Sequence, residues 1–320
     1  MSQHAVASAR AAEVDALAPF VVEHAQVRGA LIRLDATSHA ILGQHAYPPP
    51  LARALAELLA AAALLASTLK LDGSLVVQLS GDGPVRLLVV ECNDALDLRA
   101  TAQWDAAAVA ALGEHASLAQ LAGTPAQSRL TLTLDQRSSG TLYQGIVALD
   151  GESIAASIEH YLATSEQLQS RLWLDARGAA VRGLLLQRLP AATEADDATW
   201  TRLTGDADRA ASPGRVDDAP PTQPHPSFAA VLAHAFPHDD VRMFAARPVR
   251  FRCRCSAGRV ANALRIAGRA EVEAALAERG SVEVTCEFCN RRYSFGAAQA
   301  RALFAPPRAN AARDARESLE

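Results

Sequence analysis

Four cysteines near the C-terminal end of the chain are the residues best suited to chemistry. They form two close pairs, Cys253 with Cys255 and Cys286 with Cys289. Two pairs of thiolates are the ligand set of a closed, tetrahedral structural zinc site, in which each Zn–S bond is ~2.3 Å long. The spacing therefore predicts one zinc ion per chain, bound by all four sulfur atoms.

The cysteine pattern leaves the role of this zinc ion open. The C-x-x-C pair has the usual zinc-knuckle spacing. The C-x-C pair is rarer, and it is the more informative of the two, because a disulfide between two cysteines so close in sequence forms only with strain. A permanent structural clip and a switch are both compatible with the pattern. A catalytic zinc-bound water is disfavoured, because thiolates fill all four ligand positions. We therefore predict no enzyme activity.

The charge of the chain is unevenly distributed, although its net value is only −4. Residues 1–240 contain 16 basic and 27 acidic side chains, a net charge of −11, whereas residues 241–320 contain 15 basic and 8 acidic, a net charge of +7. Such a basic module can bind nucleic acid, or it can dock on the acidic part of the same chain. A nucleic-acid-binding zinc ribbon is therefore an alternative hypothesis.

The N-terminal half lacks the features of an exported or membrane-spanning protein. Residues 1–18 contain no continuous apolar segment, so no signal peptide is predicted. The most apolar long run, residues 51–69, is interrupted by Arg53 and Glu57 and is mostly alanine. This composition favours a buried helix over a membrane span. Without an export signal, paired cysteines favour metal binding over structural disulfides.

The first 190 residues alternate strand hairpins with helices. After a lead-in of uncertain structure over residues 1–22, the patterns predict strands at 27–34, 74–80, 85–91, 98–104, 129–135, 141–149, 171–174 and 181–189. Helices are expected over residues 51–70, 105–112 and 151–168. Hairpins with interspersed helices indicate an α+β domain with a largely antiparallel sheet.

Beyond Pro190 the composition changes twice. Residues 191–240 are predicted to be a linker, with a short helix over 195–203, a mobile stretch from Gly205 to Pro226 and an apolar helix over 228–236. The C-terminal module is placed at 241–305. Its expected helices run from a Ser256 cap to Ala267 and from Arg269 to Arg279, and strands at 281–285 and around Tyr293 and Phe295 follow. Residues 306–320 are predicted to be a disordered tail.

Other residues show no catalytic signature. Gly81-Asp82-Gly83 lacks the strand-to-helix context of a nucleotide-binding loop and is predicted to be a turn. Cys92 follows a run of strand residues, so we expect an ordinary buried thiol, whose role the sequence does not define. Tyr293 and Phe295 are predicted to pack beside the metal. The arginines near the cysteines are predicted to moderate the excess charge of four thiolates.

Several motifs, together with the C-x-C and C-x-x-C pairs, make the chain resemble the 33 kDa chaperonin family. They are Val27-Arg28-Gly29, Tyr47-Pro48, Gly81-Asp82-Gly83-Pro84-Val85-Arg86, Tyr143-Gln144-Gly145-Ile146-Val147, Ser165-Glu166-Gln167 and residues 184–190. One departure is the stretch 205–226, which tends to be more helical in that family.

The resemblance implies a redox-regulated, zinc-binding holdase of the bacterial cytoplasm, with an off state in which a client-binding N-terminal domain, a linker and a zinc domain stay together. On oxidation by peroxide or hypochlorite, zinc leaves, the linker and zinc domain unfold, and the exposed surface holds unfolding proteins without ATP. The active form is expected to be a homodimer, with neither nucleic acid nor membrane as a partner.

Two further expectations concern the switch. Disulfides are predicted between sequence neighbours, Cys253 with Cys255 and Cys286 with Cys289, because neighbours meet most often once the metal is lost. An apolar cluster is expected to dock on the N-terminal body and hide the client-binding surface. Its members are Phe228, Val231, Leu232, Phe236, Val241, Met243 and Phe244.

Overall fold

A computed structural model describes residues 15–69, 71–149, 153–190, 192–193, 196–211 and 226–305. The chain divides into two compact units, residues 1–252 and 253–320, with the division between Arg252 and Cys253. Most of the stretch predicted to be a mobile linker, and the predicted disordered tail, lie outside the described residues.

The first unit contains two β-sheets. In the first sheet the strand order is β10-β1-β2-β9-β8, with β11 also pairing with β1, and all pairs are antiparallel. Its strands are β1 (Ala16–Val22), β2 (Val27–Leu34), β8 (Ser170–Arg177), β9 (Ala180–Arg188), β10 (Val241–Met243) and β11 (Arg247–Pro248). Strand β1 lies in the stretch for which the sequence predicted no structure.

In the second sheet the strand order is β12-β5-β4-β3-β6-β7. Its strands are β3 (Gly73–Ser80), β4 (Val85–Asn93), β5 (Asp97–Trp104), β6 (Arg129–Gln136), β7 (Thr141–Ala148) and β12 (Arg250–Phe251). The pairs are antiparallel except for β12, which runs parallel to β5. Both predicted hairpins, β3–β4 and β6–β7, are confirmed, as is the α+β class.

One apolar helix packs against both sheets and forms the centre of the main core. Helix α2 (Pro49–Thr68), expected over residues 51–70, begins two residues earlier and contacts strands β2, β3, β4, β5, β8 and β9. It is long and apolar enough to cross a membrane by length and composition, but it is mostly buried inside the protein. Each sheet therefore turns one apolar face towards this helix, and Ala30, Ile32 and Leu34 of β2 lie on that face.

Four shorter helices complete this part of the first unit. They are α1 (Ala36–Leu42), α3 (Ala106–Leu112), α4 (Leu118–Ala122) and α5 (Ile154–Thr164). The sequence did not predict α1 or α4. Helix α5 is shorter than the predicted 151–168, because Ser153 caps its first turn and Gln167 adopts a positive φ of 55° beyond its end.

Two helices cover the outer face of the first sheet, and we call them the cover. They are α6 (Asp197–Ala211) and α7 (Phe228–Ala235). Helix α6 continues past Gly205, where the sequence predicted an unstructured linker. Leu203, Ala207 and Ala210 lie on one helical face and are buried against the sheet, so tertiary packing outweighs the helix-weakening effect of the glycine.

Most of the predicted apolar cluster docks on this face. Phe228, Leu232 and Phe236 are buried beside Phe20 and Leu186 of the sheet. Val231, Val241 and Met243 are partly buried against them. Phe244 differs from the expectation, because its side chain remains 45% exposed.

Residues 241–252 belong to the first unit, although the sequence placed the start of the C-terminal module at residue 241. The backbone explains this difference. Val241–Met243 pairs with β1, Arg247–Pro248 also pairs with β1, and Arg250–Phe251 pairs with β5. The second compact unit therefore begins at the first cysteine of the C-x-C pair.

The second unit is a small α+β module. Its elements are α8 (Ala257–Ala267), α9 (Arg269–Arg279), β13 (Ser281–Thr285), β14 (Arg292–Gly296) and α10 (Ala297–Ala302). The predicted boundaries of α8 and α9 are confirmed: Ser256 caps α8, and Gly268 and Gly280 follow the two helices with positive φ angles. Only five residues of its described part form a buried apolar cluster: Leu264, Val272, Leu276, Val282 and Ala300.

Candidate metal centre

The two cysteine pairs lie on two backbone segments of the second unit. Cys253 and Cys255 precede helix α8 in an irregular stretch. Cys286 and Cys289 lie in the turn between strands β13 and β14. In this turn the amide of Asn290 donates to the carbonyl of Cys286 at 2.8 Å, and Asn290 has a positive φ of 56°.

The structure brings all four predicted ligands together. Their four Sγ atoms lie within 4.8 Å of one another. The Sγ atoms of Cys253 and Cys286 are 3.6 Å apart, and those of Cys255 and Cys289 are 3.4 Å apart. A tetrahedron with Zn–S bonds of ~2.3 Å has S···S edges of about 3.8 Å. The donor set and its dimensions therefore fit a four-thiolate metal site.

Burial and hydrogen bonding shift the pKa values of three of these thiols in different directions. Partial burial acts to raise the pKa of Cys255, but hydrogen bonds from the Tyr293 hydroxyl and the neighbouring thiols lower it to about 7. Partial burial raises the pKa of Cys289 to about 12, and its hydrogen bond to Cys255 contributes. Partial burial also raises the pKa of Cys286. Four thiolates at this spacing therefore need a bound cation to coexist at neutral pH.

Tyr293 and Arg291, which are outside the ligand set, interact with the sulfur cluster in different ways. The Tyr293 hydroxyl donates to the Cys255 sulfur at 3.0 Å, which confirms the predicted position of Tyr293 beside the site. Phe295 differs from the expectation, because it packs against the small apolar core of the unit. Arg291 interacts with this hydroxyl and electrostatically with the sulfur atoms of Cys255 and Cys289, which raises the pKa of the guanidinium. Of the arginines around the cysteines, the sequence did not single out Arg291, because charge alone gives no direction for a side chain.

Cys92 has different surroundings from the other four cysteines. It lies on β4 in the core of the first unit and is fully buried. Burial raises the pKa of its thiol to about 12. The predicted buried thiol is therefore confirmed, and it takes no part in the sulfur cluster.

Fold and site together define a two-unit protein in which a two-sheet α+β domain precedes a four-cysteine module capable of holding a metal ion. The sequence matches the model of the family described as Hsp33 protein over residues 15–296. The chain belongs to this Hsp33 family.

Individual relatives agree with this assignment. A 33 kDa chaperonin of Ectopseudomonas mendocina is 40% identical over 291 residues, which cover 89% of this chain and 94% of the relative. A 33 kDa chaperonin of Methylobacillus flagellatus is 38% identical, with 91% and 94% of the two chains covered. The chain is thus an Hsp33-type chaperone, and these comparisons give the nucleic-acid-binding alternative no support.

A solved structure shares the fold. The crystal structure of the 33 kDa chaperonin from Thermotoga maritima, a heat shock protein 33 homologue, matches with a TM-score of 0.72. The match covers 90% of this chain and 97% of the other, at 20% sequence identity. At this identity the likeness shows that the two chains share a fold.

Proposed function

We propose that this chaperone is a redox-regulated, ATP-independent holdase of the cytoplasm, which protects unfolding proteins from aggregation under oxidative stress. The observation that carries the proposal is the convergence of four thiols within 4.8 Å in a unit with a small apolar core. Cys253, Cys255, Cys286 and Cys289 would hold one zinc ion in the reduced, inactive form. Oxidation of these residues would activate the protein.

The stability of the second unit depends on this site. A bound zinc ion would supply a cross-link between its two cysteine-bearing segments, and structural zinc contributes about 10–16 kcal/mol to the folding of small domains. Two molecules of peroxide would each accept two electrons from one cysteine pair, take up two protons from solvent and be reduced to water, which leaves two disulfides and no thiolate to hold the metal. A disulfide that closes three or four residues contributes only roughly 1.5–2 kcal/mol before strain. The oxidised unit would therefore lose most of its stabilisation.

The cover hides the surface that oxidation would expose. Helices α6 and α7 bury the outer face of the first sheet, which contains Phe20, Leu31, Leu184 and Leu186. Strands β10–β12 connect this cover covalently to the second unit. We propose that unfolding of the second unit loosens the cover, and that the apolar face then binds unfolding client proteins. The active form would be a homodimer.

The test is to measure zinc content and suppression of client aggregation in parallel, before and after oxidation. The reduced chain should contain one zinc per chain and leave a thermally unfolding client to aggregate. The peroxide-treated chain should lose zinc and suppress aggregation without ATP. Suppression of equal strength by both forms would contradict redox regulation, and zinc-free reduced protein would contradict the assignment of the metal.

A further inference from the structure

Two motifs that the metal site leaves unexplained meet at strand β7. They are Tyr143-Gln144-Gly145-Ile146-Val147 and Ser165-Glu166-Gln167. The Tyr143 hydroxyl donates to the Glu166 carboxylate at 3.2 Å, and the Tyr161 hydroxyl of α5 donates to the same carboxylate oxygen. A Cβ atom on Gly145 would lie 2.5 Å from the Tyr161 ring, so only glycine lets this ring lie against the strand. These contacts fix β7 in an extended conformation.

Strand β7 is an open edge of the second sheet. It pairs with β6 along all eight residues, and no other strand in the described part of the chain pairs with it. The amide of Leu149 donates to Ser128, which continues the same register. In an antiparallel ladder, residues that bond to the partner strand alternate with residues that do not. The backbone N–H and C=O groups of Leu142, Gln144 and Ile146 therefore point away from β6.

This edge lacks the devices that protect other sheet edges from pairing with foreign chains. Those devices include charged side chains, proline and very short strands. Strand β8, an edge of the first sheet, contains Arg171, Asp175 and Arg177 in ion pairs. Strands β10, β11 and β12, the remaining edge strands of the two larger sheets in the described residues, have three, two and two residues. Strand β7 has eight residues, and none of them is charged or proline.

The side chains of β7 add apolar surface to the open backbone. Leu142 is 66% exposed, Ile146 is 59% exposed and Tyr143 is 48% exposed. These three account for half of the six large apolar side chains that are exposed in the described residues. Leu142 and Ile146 lie on one face of the strand, and Tyr143 lies on the other. An eight-residue strand with apolar side chains beside unpaired backbone amides is complementary to an extended apolar polypeptide segment.

We infer that the β7 edge binds an extended segment of a non-native polypeptide by adding it as a further strand to the second sheet. The inference rests on the proposed holdase function, and it names how a client is held. Hydrogen bonds to the backbone do not depend on side chains, so this edge suits partners that share no sequence. The edge is open while the cover is docked, so it binds a segment weakly in the reduced form without preventing aggregation. After oxidation the uncovered face of the first sheet adds the affinity that suppresses aggregation.

The experiment compares Gln144→Pro with Gln144→Val in the full-length chain. Both variants lose the hydrogen bond from the Gln144 side-chain amide to Thr133. Only proline removes the outward N–H and places a ring on the open edge, and it leaves the hydrogen bonds to β6 in place. The probe is carboxymethylated α-lactalbumin, a permanently unfolded polypeptide, and binding is measured by fluorescence anisotropy. Thermal unfolding shows whether each variant is folded.

Gln144→Pro should bind the probe about tenfold more weakly than Gln144→Val in both redox forms, since backbone hydrogen bonds to the added strand are lost. Should the proline variant fail to fold, Ile146→Lys, which places a charge on the edge, should weaken binding in the same way relative to Ile146→Thr. Equal binding within about twofold in the folded pair overturns the inference. The inference is also overturned if the two variants bind the probe equally but differ in the mass measured by sedimentation. That result would show that the edge binds a second copy of the chain.

The redox comparison tests the proposed function separately. Stronger binding by the oxidised than by the reduced Gln144→Val protein supports the holdase switch, whichever result the proline variant gives. Equal binding in the two redox forms contradicts the switch, and the proline–valine difference still decides whether the edge is used.

Discussion

The five cysteines differ in reactivity because of their surroundings. Cys92 is enclosed by the core of the first unit, and burial raises the pKa of its thiol to about 12. The other four thiols are partly exposed and lie within 4.8 Å of one another. Since the thiolate is both the metal ligand and the nucleophile, metal binding and oxidation should be confined to the four clustered residues.

Serine at any one of the four clustered positions should weaken zinc binding by more than about 100-fold, because even partners outside the ligand set contribute 10–100-fold to metal affinity. Zinc affinity is measured by competition with a chromogenic chelator. Cys92→Ser is the matched control and should retain wild-type affinity. An equal loss of zinc in the Cys92 variant would refute the ligand assignment.

Oxidation should link sequence neighbours, although the shortest sulfur–sulfur distances join the two pairs. Cys253 lies 3.6 Å from Cys286, and Cys255 lies 3.4 Å from Cys289. These distances describe the assembled cluster, and once it opens, loop closure favours the residues closest in sequence. Peptide mapping of the oxidised protein should show Cys253–Cys255 and Cys286–Cys289. A dominant link between the two pairs would contradict this prediction.

Glu57 on α2 should make the stability of the first unit depend on pH. Burial raises the pKa of this carboxyl from 4.5 to about 7. The folded state therefore holds the proton more tightly than the unfolded state, so the stabilisation is present below pH 4.5 and is lost as the pH rises towards 7. Glu57→Gln should raise the melting temperature relative to wild type more at pH 7.5 than at pH 4.5. A constant difference at the two pH values would contradict the raised pKa.

At the scale of single elements, the cover combines apolar packing with ion pairs. The Phe236 ring lies 6.1 Å from that of Phe20 in the sheet. Arg202 of α6 makes an ion pair of 2.6 Å with Asp239, which follows α7. The ion pair ties the two helices of the cover to each other, whereas the aromatic contact ties the cover to the sheet. Packing should therefore decide whether the sheet stays hidden.

Phe236→Ala should loosen the cover in the reduced protein. Truncation of a buried phenylalanine costs about 3–5 kcal/mol, and here the loss falls on the contact between cover and sheet. The reduced variant should bind more of a hydrophobic dye and partly suppress client aggregation. Phe244→Ala, which truncates a half-exposed ring just beyond β10, is the control and should resemble wild type. If the folded Phe236 variant behaves like wild type, the cover does not hide the client-binding face.

The elements that the sequence predicted correctly have local signals. The hairpins have turns between alternating strands, and helices α8 and α9 have a serine cap and terminal glycines. Strand β1 has no such signal, and it contains Pro19. Its neighbour β2 is close in sequence, but its other neighbour, β10, is more than 200 residues away. The continuation of α6 past Gly205 depends on burial against the sheet. Long-range packing decides both features.

The candidate metal site follows the same division. The four sulfur atoms could be predicted, because ligand type and spacing determine which residues can share one ion. The choice of Arg291 as the arginine beside the sulfur cluster could not be predicted, since it depends on the hairpin β13–β14 and on the hydroxyl of Tyr293.

At the scale of the whole molecule, the two units differ in how they are stabilised. The first unit has a large core around α2. The described part of the second unit has seven buried apolar residues, five of which form one cluster, and a group of four thiols. A redox change should therefore affect the second unit first and leave the two-sheet body folded. The redox-dependent part of the proposed client-binding surface, the outer face of the first sheet, must therefore be hidden by something that depends on the second unit.

A comparison of two truncated chains tests where the hidden surface lies. The fragment 1–190 retains α2 and strands β1–β9 but lacks the cover, so the outer face of the first sheet, including Phe20 and Leu186, becomes exposed. This fragment should suppress client aggregation even under reducing conditions. The fragment 1–252 retains the cover and strands β10–β12, and it should be less active than 1–190, because each large apolar side chain that stays buried contributes about 1.5–3 kcal/mol to docking. Circular dichroism and light scattering check that both fragments are folded and soluble. If 1–190 is folded but inactive under both redox conditions, the client-binding surface is not the face beneath the cover.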